Sequence, residues 1–287
     1  MNHPSPCHGR PGPVRLPVST ASQSPPLRVV NGSYGPYCVR YGRTRSVVLY
    51  AGVGLTHGRR GPEGGADVSD VLPLPTPVDA AFIRRWIRDA ADEIAANRDY
   101  LTQLDAAIGD ADHGINMDRG FSAVVTDLTA AEGLGPGALL TRAGSTLVNR
   151  VGGAAGPLFG SCFRDAGAEL GDGSGAGAED LLRALHAGLA AIQRLGAAIE
   201  GDKTIVDAFV PALAGFEKEL RNGGALDASA SRAAVAAREG ARATIPMEAR
   251  KGRASYLGQR SVGHQDPGAT STALLFGVLA RVAGRSA

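Results

Sequence analysis

The stretch Ile83-Arg84-Arg85-Trp86-Ile87-Arg88-Asp89-Ala90-Ala91-Asp92-Glu93-Ile94 decides the fold class. Ile83, Trp86, Ile87, Ala90, Ala91 and Ile94 recur at i, i+3, i+4, i+7, i+8 and i+11, while Arg84, Arg85, Arg88, Asp89 and Asp92 take the other side. That spacing draws one apolar stripe along an α-helix and cannot serve a strand, whose side chains alternate every second residue. Upstream, Leu72-Pro73-Leu74-Pro75-Thr76-Pro77 reads as a linker or stop, and Pro77 just before Asp79 is a helix-start signal.

The same periodicity predicts further helices over 115–131, 137–150, 155–170, 178–196, 203–222, 228–245 and 267–284. The breaks between them carry Gly, Pro or Asp, as in Gly133-Leu134-Gly135-Pro136 and Asn222-Gly223-Gly224. The expected fold is therefore all-α over 76–287, a barrel or bundle of about eight amphipathic helices. Most connections are short, so neighbours should be antiparallel. Residues 105–114, 197–204 and 248–267 do not fit plain bundle loops, and chemistry should be sought there.

Residues 1–75 differ in composition. They hold 8 Arg, no Lys, 3 acidic residues and 11 of the 17 prolines. They carry about +5 and the remainder about −3, a split hidden in the overall +2. The basic arm has no cluster longer than Arg59-Arg60 and no helical period, so neither a nucleic-acid nor a membrane partner is expected. We expect 1–75 to be a Pro/Arg/Gly-rich extension, disordered or outside the native working protein. The apolar stretch Ser46–Leu55 lies too deep for a secretory signal. Residues 1–45 share the Arg-rich, acid-poor bias of a presequence but not its amphipathic stripe. No run approaches the roughly 18–20 apolar residues that span a bilayer. Cys7, Cys38 and Cys162 fit neither a disulfide framework nor a zinc site, which suits a reducing, cytoplasmic setting. Cys162 is expected to be a small buried apolar side chain.

Four constellations could carry chemistry. Asp105-Ala106-Ala107-Ile108-Gly109-Asp110-Ala111-Asp112-His113-Gly114 gathers three carboxylates that repel one another unless a cation lies between them. Oxygen-only ligands favour Mg²⁺ or Ca²⁺ over zinc. An EF-hand is excluded because Ile115 and Phe121 stand where its Gly and Glu belong, counting from Asp110. A solvated acidic turn capping the following helix is the competing reading. His113 and Asn116 could donate to phosphate at that helix start, or His113 could simply cap it.

Val151-Gly152-Gly153-Ala154-Ala155-Gly156-Pro157-Leu158-Phe159-Gly160 could cradle phosphate with backbone N–H groups, or let two helices approach closely. In Gly201-Asp202-Lys203-Thr204, Asp202 is a plausible helix cap and Lys203 could reach a phosphate. Finally, Ala249-Arg250-Lys251-Gly252-Arg253-Ala254-Ser255-Tyr256 places three cations beside a glycine. After it, Asp266-Pro267-Gly268 reads as N-cap, N1 and N2 of the last helix. A Mg-nucleotide would use the acidic cluster, the glycine turn and the basic loop together.

Over about 80–285 the chain closely resembles the L subunit of bacterial dihydroxyacetone kinase. The resemblance rests on Leu104–Gly114, Gly152–Gly160, Gly201–Thr204 and Ala249–Thr270, in that order. It implies an eight-helix barrel with ADP or ATP at one end. It implies Asp105, Asp110 and Asp112 as ligands of a pair of Mg²⁺ ions. Nucleotide-contacting positions would be His113, Gly114, Ile115, Asn116, Ala154, Ala155, Gly196, Ile205, Arg253, Asp266, Pro267 and Gly268. Arg253 is the candidate for stabilising transition-state charge.

Two departures stand out: the family often has Ser at Ala155 and Met at Ile205. The resemblance further implies a partner K subunit that binds dihydroxyacetone covalently through a histidine. In the phosphoenolpyruvate-dependent type, an M subunit rephosphorylates the resident ADP. A homodimer or heterocomplex is expected. A kinase subunit for another ketose or a fatty acyl substrate, and an ADP-sensing regulatory module, remain as alternatives.

Overall fold

In the computed structural model the described residues are 76–173 and 175–285, together with the backbone of 37–41 and 45–49. The chain divides into two units, Met1–Asp67 and Val68–Ala287. In the first, β1 (Tyr37–Tyr41) pairs antiparallel with β2 (Arg45–Leu49), Tyr37 opposite Leu49 and Tyr41 opposite Arg45. This hairpin is a structured piece within the expected extension. The rest of that expectation, Cys7 included, lies outside the described residues.

The second unit is all-α. Asp79 opens it by accepting from the N–H of Phe82 at 2.7 Å. Helix α1 (Ala80–Ala96) then buries Phe82, Ile83, Trp86, Ile87, Ala90, Ala91 and Ile94, the stripe read from the sequence. Asn97 ends α1, its amide donating back to Glu93 O at 2.8 Å, and α2 (Arg98–Ile108) starts at once. The expected loop 105–114 therefore shrinks to 109–112, and Asp105 sits on a helix.

There follow α3 (His113–Thr129), α4 (Pro136–Arg150), α5 (Ala155–Leu170), α6 (Ala178–Gly196), α7 (Val206–Arg221), α8 (Leu226–Ala243) and α9 (Pro267–Gly284). Nine α-helices occur among the described residues, against an expectation of about eight, because the break at Asn97 is invisible to periodicity. Helix α7 starts at Val206 and not at 203, because Lys203 takes a left-handed φ of 61° that no α-helix accommodates. Within 248–267 a 3-10 segment, Arg253–Ser261, replaces open loop.

Packing runs from α3 through successive neighbours to α9, then from α9 to α1 and from α1 back to α3, a closed ring of eight helices. Helix α2 is added against α3 and α9. The α4–α5 pair shows why small residues recur there. A Cβ on Gly144 would lie 2.4 Å from Gly160 O, and one on Gly167 2.4 Å from Gly137 O. The two backbones touch, and the order of the pairs makes the helices antiparallel.

The interior is apolar. Trp86 stacks on Phe163 with ring centroids 5.8 Å apart and donates its indole N–H to Leu275 O at 3.2 Å. Phe121 meets Phe163 edge-on at 6.2 Å. Fully burying one such ring contributes about 1.5–3 kcal/mol. Cys162 is buried among these groups, and burial pushes its thiol up to about 12. No helix among the described residues is long and apolar enough to cross a membrane.

Candidate functional site

The connections that sequence reading singled out converge on one cavity of about 380 Å³. The N-termini of α3, α5, α7 and α9 all reach its wall, through Asp112 and His113, Ala154 and Ala155, Ile205, and Asp266 and Pro267. Of these helices, α5 begins without a side-chain cap, whereas at α3 the His113 N–H goes to Asp105 and at α7 the Val206 N–H goes to Thr204 Oγ1 at 3.2 Å. Four helix N-termini on the wall of one hollow, that of α5 uncapped, favour an anion there. Helix α9 is capped as expected: Asp266 accepts from Ala269 N–H at 2.6 Å, with Pro267 at the first helical position.

On the same wall Asp105, Asp110 and Asp112 each offer a carboxylate oxygen, and these atoms all lie within 4.8 Å of one another. Asp105 is buried, and its Oδ2 accepts from the N–H groups of Asp112 at 2.8 Å and His113 at 3.1 Å. That clasp folds 109–112 back over the end of α2, with Ala111 at φ 61°. Asp110 pairs with Arg253 Nη1 at 2.6 Å, which brings the basic loop onto the acidic cluster. The donor set is all carboxylate oxygen, suited to a hard divalent cation.

His113 Nε2 lies 3.1 Å from Ser271 Oγ. Burial lowers its pKa, although Asp105 and Asp112 pull the other way, so the ring stays neutral at neutral pH. Asn116 Oδ1 accepts from Arg119 Nη2 at 2.8 Å. Its amide abuts Gly152, where a Cβ would lie 2.9 Å from Asn116 Oδ1. Asp266 is buried, and that burial, reinforced by the charges of Asp207 and Asp105, pushes its carboxyl up to about 7 against the opposing effects of Ala269 N–H and Lys203.

The structure thus brings together Asp105, Asp110, Asp112, His113, Asn116, Ala154, Ala155, Gly196, Ile205, Arg253, Asp266, Pro267 and Gly268. It does not bring Gly114 or Ile115 to the cavity. Gly114 packs on α2, where a Cβ would fall 2.0 Å from Arg98 O, and the Ile115 side chain is exposed.

Two expectations for the 201–204 motif are corrected. Asp202 does not cap α7; it accepts from Ile199 N–H within its own loop at 3.0 Å. The turn is held by Asp207, which accepts from Gly201 N–H at 2.6 Å and Thr204 N–H at 2.7 Å. Lys203 does not extend its ammonium to a phosphate site, because that group is consumed by four backbone carbonyls. Sequence reasoning also missed an apolar wall of Leu158, Ile192, Leu195 and Ala198. The helical members of this wall lie in the ordinary amphipathic pattern of α5 and α6, which carries no sign of a ligand.

A model of the DAK2 domain family matches residues 107–281. The chain belongs to the DAK2 domain family. The match takes in every cavity-lining residue except Asp105. A relative from Escherichia coli K12, the ADP-binding subunit DhaL of a PEP-dependent dihydroxyacetone kinase, is 41% identical over 70% of this chain and 96% of its own length. The corresponding subunit of dihydroxyacetone kinase 1 from Listeria innocua is 38% identical over 69% of this chain and 94% of its own length.

Among solved structures, the dihydroxyacetone kinase of C. freundii with AMP-PNP and Mg²⁺ superposes with a TM-score of 0.56 at 25% identity. That likeness covers 79% of this chain and 38% of the C. freundii chain. The relatives that this chain covers almost end to end are thus named as kinase subunits, and the C. freundii kinase shares this fold over part of its chain.

Proposed function

We propose that this chain is the nucleotide-holding subunit of a dihydroxyacetone kinase, working in the cytoplasm in phosphoryl transfer to a sugar held by a separate K subunit. The observation that carries the reading is the meeting of three carboxylates with four helix N-termini and one arginine on a single cavity. Asp105, Asp110 and Asp112 would hold Mg²⁺, a pair of ions in the fuller form of the reading. Bound there, the metal neutralises and orients phosphate oxygens.

The chain's own residues do the remaining work. The uncapped start of α5 donates backbone N–H groups to phosphate. With Ala155 in place of a serine, only the backbone amide serves at that position. Asn116, held by Arg119, and neutral His113 add polar contacts at the start of α3. Arg253, exposed and already reaching Asp110, can turn to charge developing on the transferred group. Leu158, Ile192, Leu195 and Ile205 supply an apolar wall for a base. Resemblance to the DhaL subunits favours phosphoenolpyruvate, through an M-type phosphotransferase subunit, as the source of phosphate.

Reconstitution tests the reading. The purified chain, mixed with K and M subunits and the phosphotransferase components, should form dihydroxyacetone phosphate from phosphoenolpyruvate, and native mass analysis should find ADP bound. No product with either phosphoenolpyruvate or ATP would remove the kinase reading. A second ketose belongs in the same assay. D-erythrulose kinase of Mycolicibacterium smegmatis is 33% identical over 75% of this chain, although this chain spans only 37% of it.

A further inference from the structure

Among the described residues Lys203 is the only buried lysine or arginine. Its Nζ donates to the carbonyl oxygens of Thr244 at 2.9 Å, Met247 at 3.1 Å, Ser261 at 2.8 Å and His264 at 2.5 Å. Three ammonium protons thus serve four acceptors, and none remains for a ligand. The backbone at Lys203 is left-handed, φ 61°, a conformation glycine adopts with less strain. Burying a cation is costly unless dipoles or charge surround it. Here four carbonyl dipoles and the nearby Asp266 do so, although burial still lowers the lysine's pKa.

The four carbonyls come from both ends of one connection. Thr244 and Met247 follow α8, Ser261 closes the 3-10 segment, and His264 precedes α9. Between them the chain carries Lys251, Gly252 and Arg253 to the cavity, and Asp266 follows directly. The same base is stitched by Arg250 N–H to Asp202 O at 3.1 Å, Gly263 N–H to Ile245 O at 2.8 Å, and Asp266 N–H to Thr244 Oγ1 at 2.9 Å. Two of the three sequence segments set aside for chemistry are therefore joined through one side chain.

We infer that Lys203 is a positioning residue: its ammonium ties the α6–α7 turn to both ends of the 244–266 connection and so presents Arg253 and Asp266 to the aspartate cluster. What is presented rests on the nucleotide reading; the tether itself does not. One consequence separates this role from general stabilisation. Four converging carbonyl oxygens are the coordination that a bare potassium or ammonium ion accepts. Truncating the lysine leaves a cage such an ion can fill.

The experiment compares the full-length chain with Lys203→Ala in choline chloride buffer, by amide hydrogen exchange without nucleotide and by calorimetry with Mg-ADP. In the variant, amides of 244–266 should exchange faster while those of α4 and α5 do not change. If the connection is competent about a tenth of the time, Mg-ADP affinity falls about ten-fold. Ammonium or potassium should restore both, lithium and tetramethylammonium neither, and the wild type should ignore all four. Unchanged exchange at 244–266 would overturn the tether. Faster exchange with full Mg-ADP affinity would overturn the positioning role, and so would losses that neither ammonium nor potassium repairs.

If Lys203→Ala does not fold in choline, Lys203→Gln, which keeps two donors without the charge, takes the same measurements. Failure of both variants to fold with any of the four ions would also overturn the inference. Should the wild type not bind Mg-ADP, the nucleotide reading falls while the exchange data still decide the tether.

Discussion

The turn at 133–136 and the turn at 152–154 are alike in composition and unlike in surroundings. Each is glycine-rich and each leads into a helix. At the first, the N–H groups entering α4 are consumed: Gly137 donates to Gly171 O at 2.9 Å and Ala138 to Asp172 Oδ1 at 2.9 Å. At the second, α5 starts with no side-chain cap and opens on the cavity. The amino acids of a turn therefore do not decide whether a helix start binds an anion. What decides is whether a distant residue, here Asp172, has already supplied the acceptor.

The comparison can be broken in four places. The largest effect is expected from Asp110→Asn, which removes a carboxylate from the proposed metal set. Calorimetry should show Mg-ADP affinity reduced by about 100-fold or more, beyond the 10–100-fold typical of outer-shell changes. Unchanged affinity would count against the metal assignment. Next come paired variants of the two turns. Gly152→Ala, whose Cβ would press on the Asn116 amide, should weaken Mg-ADP about ten-fold with little change in melting temperature. Asp172→Ala should do the reverse, leaving affinity intact while the lost cap costs about 1 kcal/mol, or roughly 2–4 °C. If both variants move the same observable, the distinction between the turns fails.

Arg253→Met should show effects of opposite sign. Mg-ADP should bind several-fold more weakly, whereas Mn²⁺ without nucleotide, followed by electron paramagnetic resonance, should bind more tightly because Asp110 loses its ion-pair partner. The smallest effect concerns Asp266. Its carboxyl is raised in the folded state to about 7, so the folded protein binds a proton that the unfolded chain has already released. This contribution to stability falls as pH rises from the ordinary carboxylate range to about 7. Asp266→Asn keeps an oxygen to cap α9 and should flatten that slope in melting curves taken across the window.

Much of the fold was legible because local periodicity and local punctuation agree. The stripe Ile83 to Ile94 is buried as read, and α6 and α9 carry the expected boundaries. The break at Asn97 was not legible, since Asn is tolerated inside helices and the apolar pattern gives no signal there. At the site, Asp105, Asp110 and Asp112 could be grouped because eight residues of sequence hold them close. The role of Lys203 could not be read, because its four acceptors lie 41 to 61 residues away. The packing of Gly114 was not legible for a related reason: it belongs to a motif that reaches the cavity, yet a Cβ there would meet the backbone of α2.

The chain's single tryptophan, Trp86, is seated between Phe163 and the Leu275 carbonyl in the apolar interior. It is absent from the cavity lining. Its emission should accordingly be blue-shifted and report dissolution of the helical ring from one site, undiluted by other indoles. Filling the cavity should leave that signal in place, so fluorescence and ligand occupancy can be followed as independent channels on one sample.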